Sequence, residues 1–132
     1  MNDSDLILID TCIWVPFFNR PASDEKRCVD ELLDDGSAAI VGHVLYEVLV
    51  GFRRDEQADW VASALGGVTV LEPTRDEWRA AARLGRQMIG VGHRLPLTDI
   101  LIAALAIERG MAVYTVDPHF DLIPDVVRYR ST

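Results

Sequence analysis

Four carboxylates stand where a folded domain has little structural need of them. Asp10 closes the apolar run Leu6-Ile7-Leu8-Ile9, and Asp117 follows a second apolar run, Ala112 to Val116. Glu47 interrupts Val44-Leu45-Tyr46 and Val48-Leu49-Val50, so any helical rotation sets it beside apolar neighbours, and an unpaired buried carboxylate is costly. Asp99 opens Asp99 to Ile107, a stretch apolar on every face, which is the pattern of a helix buried in the middle of a domain. Each acid has a plain explanation when taken singly. Asp10 is an N-cap on the next helix, Asp117 a turn residue before Pro118, and Asp99 an anion at the positive end of its helix. Glu47 belongs to a solvent stripe with His43 and Gly51 or Arg54. Four such coincidences at element ends are harder to dismiss together.

Carboxylates gathered in one cleft cannot all ionise without compensation, because like charges a few ångströms apart raise one another's pKa. A divalent cation supplies that compensation. Only oxygen ligands are on offer at ligand spacing, so the expected ion is hard, Mg²⁺ or Mn²⁺, and not zinc. A solvent-open acidic site of this kind suits phosphoryl chemistry. No Ser-His-Asp or Cys-His signature is evident. His119 lies two positions after Asp117, where it could touch substrate, but is read rather as an exposed turn residue, and neither it nor His43 nor His93 is assigned to catalysis.

The elements that must position these acids alternate. Leu6 to Ile9 predicts a strand buried on both faces, as in a parallel sheet. A short helix follows over Thr11 to Phe18, broken at Asn19-Arg20-Pro21, and then a helix over Asp24 to Asp35 closed by Gly36. Ala38 to Val41 is a second strand. Helical spacing continues over His43 to Arg54 and Asp55 to Leu65 up to Gly66-Gly67, and Val68 to Leu71 is a third strand. Thr74 with Glu77 three residues on marks the start of a long helix to about Ile89. Thr98 is expected to cap the helix that runs to Gly110. Ala112 to Val116 is a fourth strand, and Val126 to Tyr129 a fifth at an edge.

Alternating strands and helices over residues 1–132 predict one α/β domain, a parallel sheet covered on both faces, with no internal repeat and no linker. In open parallel sheets, ligands bind beyond the carboxyl ends of the strands where the strand order reverses. If the first and fourth strands are neighbours, Asp10 and Asp117 stand side by side at that point.

Composition narrows the function classes. With 13 basic and 21 acidic residues among 132, the formal charge is −8, which argues against holding nucleic acid by bulk charge. The apolar run Ile100 to Ile107 is far short of the roughly 20 residues a membrane span requires, and the acidic N-terminus does not resemble a signal region. Cys12 and Cys28 form neither a disulfide framework nor a zinc signature, and a reducing compartment fits them. Arg75, Arg79, Arg83 and Arg86 cover an arc of about 80° on their helix. They are read as a candidate RNA-tracking ridge or as a solvated face paired locally with Glu72, Asp76 or Glu77. Trp14, Phe17 and Phe18 are expected to belong more to the core than to an interface.

The segments Leu8-Ile9-Asp10-Thr11, Leu45-Tyr46-Glu47-Val48-Leu49-Val50-Gly51, Leu97-Thr98-Asp99-Ile100-Leu101-Ile102-Ala103-Ala104 and Thr115-Val116-Asp117-Pro118-His119-Phe120 together resemble a PIN domain. The short single-domain form resembles a VapC-type toxin ribonuclease. That resemblance implies a three-layer α/β/α sandwich with strand order 3-2-1-4-5. It implies a Mg²⁺- or Mn²⁺-dependent endoribonuclease whose acidic site is Asp10, Glu47, Asp99 and Asp117, with in-line hydrolysis leaving 5′-phosphate and 3′-hydroxyl ends. Asp10, Asp99 and Asp117 would hold metal directly, and Glu47 would act through water. Thr115 would hydrogen-bond a ligating carboxylate, and Asp121 would be an extra acid. Gly42 departs from the serine that many members carry five positions before the glutamate. The resemblance further implies an RNA substrate, a VapB-like antitoxin whose peptide lies over the site, a homodimer and a cytoplasmic setting. Two other readings stay open: a catalytically silent PIN-like module that binds RNA or protein, and a PIN nuclease of RNA maturation outside any toxin pair.

Overall fold

The computed structural model describes residues 2–130. Five strands form one parallel sheet, β1 (Ile7–Ile9), β2 (Ala38–Val41), β3 (Thr69–Leu71), β4 (Ala112–Tyr114) and β5 (Val127–Arg128), ordered β3-β2-β1-β4-β5. Six α-helices connect them: α1 (Thr11–Asn19), α2 (Asp24–Asp34), α3 (Gly42–Val50), α4 (Asp55–Ala64), α5 (Arg75–Gly90) and α6 (Leu97–Arg109). Short 3-10 turns lie at Asp3–Asp5 and Pro118–Asp121. The expected α/β architecture and strand order are what the chain adopts.

β1 is the strand at which the order reverses. It pairs with β2 on one side, Leu8 opposite Ala39, and with β4 on the other, Leu8 opposite Val113 and Ile9 opposite Tyr114. Both faces of β1 are covered, so Leu8 and Ile9 have no solvent exposure, which explains why this segment reads as an unbroken apolar run. Trp14 is fully buried and donates its indole N–H to the Ile9 carbonyl at 3.1 Å, binding the first turns of α1 to β1. Phe17 and Phe18 pack on it edge-on and stacked, but only partly within the core.

α6 is buried from Asp99 through Ala106, as its all-round apolar sequence requires. It ends at Gly110, whose φ of +69° is a left-handed C-cap that glycine adopts without strain. α5 packs along α6, and its start carries the capping box expected from Thr74 and Glu77: Glu77 N–H donates to the Thr74 hydroxyl, and Thr74 N–H to the Glu77 carboxylate. Arg109 closes a two-pronged pair on the same carboxylate at 2.7 and 2.8 Å, which ties the end of α6 to the start of α5.

Several boundaries differ from the sequence reading. Thr98 is not the cap of α6: the helix begins two residues earlier, at Leu97, with Pro96 at the N-cap and Thr98 already in the first turn, because Pro96 cannot extend the helix backwards but its carbonyl accepts from Ile100 N–H. α3 stops at Val50 instead of Arg54, since Gly51 and the following turn break it before α4. β4 and β5 are shorter than expected, and Thr115 and Val116 lie beyond the last paired residue of β4.

Candidate active site

The parallel register of β1 and β4 builds the centre of the site. Asp10 N–H donates to the Tyr114 carbonyl at 3.0 Å, and so Asp10 and Thr115 emerge side by side from the carboxyl ends of neighbouring strands. Asp10 is buried, and both of its oxygens are engaged. Oδ1 accepts from Thr11 N–H at 2.7 Å, the N-cap contact of α1, and Oδ2 accepts the Thr115 hydroxyl at 2.9 Å. The N-cap reading of Asp10 and its place in an acidic site are therefore compatible. Thr115 in turn accepts from Asp117 N–H at 3.0 Å, which sets the direction in which Asp117 leaves the sheet.

Asp117 caps the 3-10 turn Pro118–Asp121, its Oδ1 accepting from His119 N–H at 2.9 Å. That turn brings the His119 ring back onto the acids: Nδ1 lies 2.7 Å from Asp99 Oδ2 and 3.3 Å from Asp117 Oδ1. Asp99 enters from the first turn of buried α6. Glu47 enters from α3 and accepts the Thr11 hydroxyl at 3.0 Å. Asp10, Glu47, Asp99 and Asp117 thus converge from β1, α3, α6 and the end of β4 on one open cleft of about 350 Å³, with Thr11 and His119 also on its wall.

The electrostatics are those of crowded acids. Burial pushes the Asp99 carboxyl above the usual range; the His119 hydrogen bond opposes this, while the charges of Asp117 and Asp10 add to it. The same contact with Asp99, with Asp117 nearby, raises His119. Cys12 sits 3.5 Å from Asp10 Oδ2 and 3.4 Å from the Thr115 hydroxyl, and burial raises its thiol, so it is not an activated nucleophile. His43 stands behind the cleft near Thr98. Burial lowers its pKa, and neither ring nitrogen completes a hydrogen bond.

One oxygen each from Asp99 and Asp117 and one His119 nitrogen lie within 4.8 Å of one another. An octahedral ion with bonds of about 2.1 Å spans roughly 4.2 Å between opposite ligands, so this donor set could hold a single divalent cation. Asp10 and Glu47 line the same cleft outside that trio. His119 is the member the sequence did not disclose. It stands two positions after Asp117 in the chain, but its reach to Asp99 depends on the turn geometry and on where α6 begins.

Other candidates lie elsewhere. Asp121 is exposed and ion-paired with Arg128, which also donates to the Thr115 carbonyl at 2.7 Å. Arg75, Arg79, Arg83 and Arg86 are exposed on α5, and none lines the acidic cleft. Arg83 instead borders a separate hollow of about 140 Å³ beside Pro124 and Asp125. Glu77, weighed as a local partner for these arginines, is taken by Arg109. Gly42 leaves room for the Glu72 carboxylate, which a Cβ at that position would meet.

The acidic cleft of this parallel sheet lies beyond the carboxyl ends of the strands where the strand order reverses, the place at which open α/β sheets bind ligands. The PIN domain profile matches residues 7–126, and the chain belongs to the PIN domain family. It is 30% identical over 130 residues to Ribonuclease VapC11 of Mycobacterium tuberculosis, covering 96% of this chain and 97% of that protein. Ribonuclease VapC51 of the same species is 30% identical over 122 residues, covering 90% and 85%. Among solved structures, the fold is similar to a chain of the VapBC2 complex of Rickettsia felis bound to a promoter DNA fragment, with a TM-score of 0.81, 20% identity and coverage of 94% and 97%. No helix among the described residues is long and apolar enough to cross a membrane.

Proposed function

We propose that this protein is a divalent-metal-dependent endoribonuclease, the toxin of a toxin–antitoxin pair. The observation that carries the reading is the convergence of Asp10, Glu47, Asp99 and Asp117 on one cleft. Relatives named as VapC ribonucleases, alike over nearly the full chain, support the choice of RNA as substrate.

Asp99 and Asp117, together with Asp10, would hold Mg²⁺ or Mn²⁺. When bound, the ion supplies the positive charge that draws a phosphodiester into an acidic cleft, acidifies a water and neutralises charge on the leaving oxygen. The protein's own residues do the positioning. Thr115 and the Thr11 amide hold Asp10 from both oxygens, so its orientation is set before substrate arrives. Thr115 also fixes the Asp117 backbone. Thr11 holds one Glu47 oxygen, leaving the other to orient the attacking water and accept its proton. The cleft is open to solvent, as a long single strand requires.

A VapB-like antitoxin peptide is the partner this surface suits. The acidic cleft shares Val15 and Glu47 with an adjoining hollow that continues through Phe18 and Phe52 to Trp60, a groove that passes from acidic to apolar. Val15 and Trp60 are 47% and 67% exposed, and a segment lying in this groove would cover both them and the acids. Association with a second copy and a cytoplasmic setting belong to the same proposal.

The test is incubation of purified, EDTA-stripped protein with RNA, with Mg²⁺ or Mn²⁺ added back, beside an Asp117→Asn variant. Internal cleavage that needs the ion, leaves 5′-phosphate ends and vanishes in the variant supports the reading. RNA that stays intact, or is cut equally by the variant, makes the chain a binding module instead.

A further inference from the structure

We propose that His119 is the nitrogen donor of the cation site and makes it select a transition-metal ion such as Mn²⁺ over Mg²⁺. The inference rests on the cleft being a divalent-cation site and adds what this particular chain brings to it. The Asp117-Pro118-His119 turn is held by its own hydrogen bond, His119 N–H to Asp117 Oδ1 at 2.9 Å, so the imidazole is presented to the carboxylates by the backbone. Nδ1 is the ring atom that faces Asp99 and Asp117, and with those two carboxylates it forms the one group of three potential ligands found together among the described residues.

The chemistry of that donor set differs from one built of acids alone. Carboxylate oxygens serve Mg²⁺ and Mn²⁺ alike, whereas imidazole nitrogen favours first-row transition metals, Mn²⁺ the least among them, over Mg²⁺. Asp10, oriented at both oxygens by Thr11 and Thr115, still has lone pairs to offer the ion but supplies only oxygen. The His119 side chain is 40% exposed and outside the core, so the ring turns from hydrogen bond to ligation without disturbing packing, with its proton on Nε2. A mere hydrogen-bond partner of Asp99 would instead occupy the ion's place and weaken both ions equally.

The two roles differ in sign. Dissociation constants for Mn²⁺ and Mg²⁺ are measured by calorimetry on the full chain and on His119→Ala, His119→Asp and Asp99→Asn, and pulsed EPR is recorded on the Mn²⁺-loaded wild type and His119→Ala. The expected result is a loss of Mn²⁺ affinity of about tenfold or more in His119→Ala with little change for Mg²⁺. His119→Asp should recover binding but lose the preference, and a directly bound nitrogen signal in the wild type should vanish in His119→Ala. Because His119 is not a core residue, His119→Ala and His119→Asp should fold as the wild type does. Equal or tighter binding of both ions by His119→Ala, or no nitrogen signal in the wild type, overturns the role of His119 while leaving an ion site that Asp99→Asn abolishes. Failure of the wild type to bind either ion overturns both this inference and the metal-dependent reading.

Discussion

Thr115 donates its hydroxyl to Asp10 across the β1–β4 pair, linking residues 105 positions apart at 2.9 Å. Because the same oxygen accepts from Asp117 N–H, one side chain orients two of the four acids.

Thr115→Val keeps the shape and removes both bonds. An unpaired buried acceptor and donor cost about 1–3 kcal/mol each at most, and loss of a residue that orients a ligand typically costs roughly 10–100-fold in activity or ion affinity. Thr115→Ser should retain most of both. Thermal unfolding and RNA cleavage measured on the two variants side by side would check this, and a Val variant as active as wild type would refute it.

Glu47 is expected to act on the proton of the attacking water. Glu47→Gln keeps the Thr11 contact and removes the base, which should lower the cleavage rate by roughly 10²–10⁴-fold while leaving the unfolding midpoint almost unchanged. Single-turnover cleavage gives the comparison.

The Glu77–Arg109 pair makes an acid-sensitive joint between α5 and α6. Both side chains are largely shielded, 12% and 18% exposed, and the Arg109 hydrogen bonds hold Glu77 at about 2 against an ordinary 4.5. A depressed carboxylate contributes stability that is complete above its unfolded value and disappears as pH falls through the folded one. The contribution should thus decline from about pH 4.5 to about pH 2. Glu77→Gln should lower stability at pH 7 by about 2–3 kcal/mol and flatten that part of the acid-unfolding curve. Denaturant titrations at several pH values would show whether it does.

The groove continuing to Trp60 separates partner binding from chemistry. Trp60 is 67% exposed, so Trp60→Ala should change folding stability by less than about 0.5 kcal/mol. It should weaken a cognate antitoxin peptide by about 2 kcal/mol, a hot-spot effect, and leave RNA cleavage intact. Peptide titration with parallel cleavage assays would reveal a coupled loss if the assignment is wrong.

The fold was legible because its signals are strong and local. Buried parallel strands read as unbroken apolar runs such as Leu6 to Ile9, and Thr74 with Glu77 forms the capping box its spacing announces. The acids were visible through their misfit with apolar neighbours, since burial of Asp99 and Asp10 requires compensation. What stayed hidden depends on three-dimensional turns. His119 reaches Asp99 only because Pro118 starts a 3-10 turn and α6 begins at Leu97. The ridge at Arg75 to Arg86 marks another limit: helical spacing aligned the four exposed side chains but carried no information about where α5 stands relative to the acidic cleft, which none of them lines. Thr98 looked like a cap because Pro96 donates nothing of its own to mark the helix start.

The unity of the acidic cleft as a cation site is tested most directly by thermal unfolding of the wild type and Asp99→Asn in EDTA and in rising Mn²⁺ or Mg²⁺. Burial raises the Asp99 carboxyl, the His119 hydrogen bond opposes this and the charges of Asp117 and Asp10 add to it, so with no ion present the crowding of the acids works against stability. In EDTA, Asp99→Asn should therefore be at least as stable as the wild type. With ion added, the wild-type midpoint should climb steadily with the logarithm of concentration and overtake the variant. A wild-type midpoint indifferent to both ions, or an equal climb in Asp99→Asn, would contradict the cation site and the nuclease mechanism built on it.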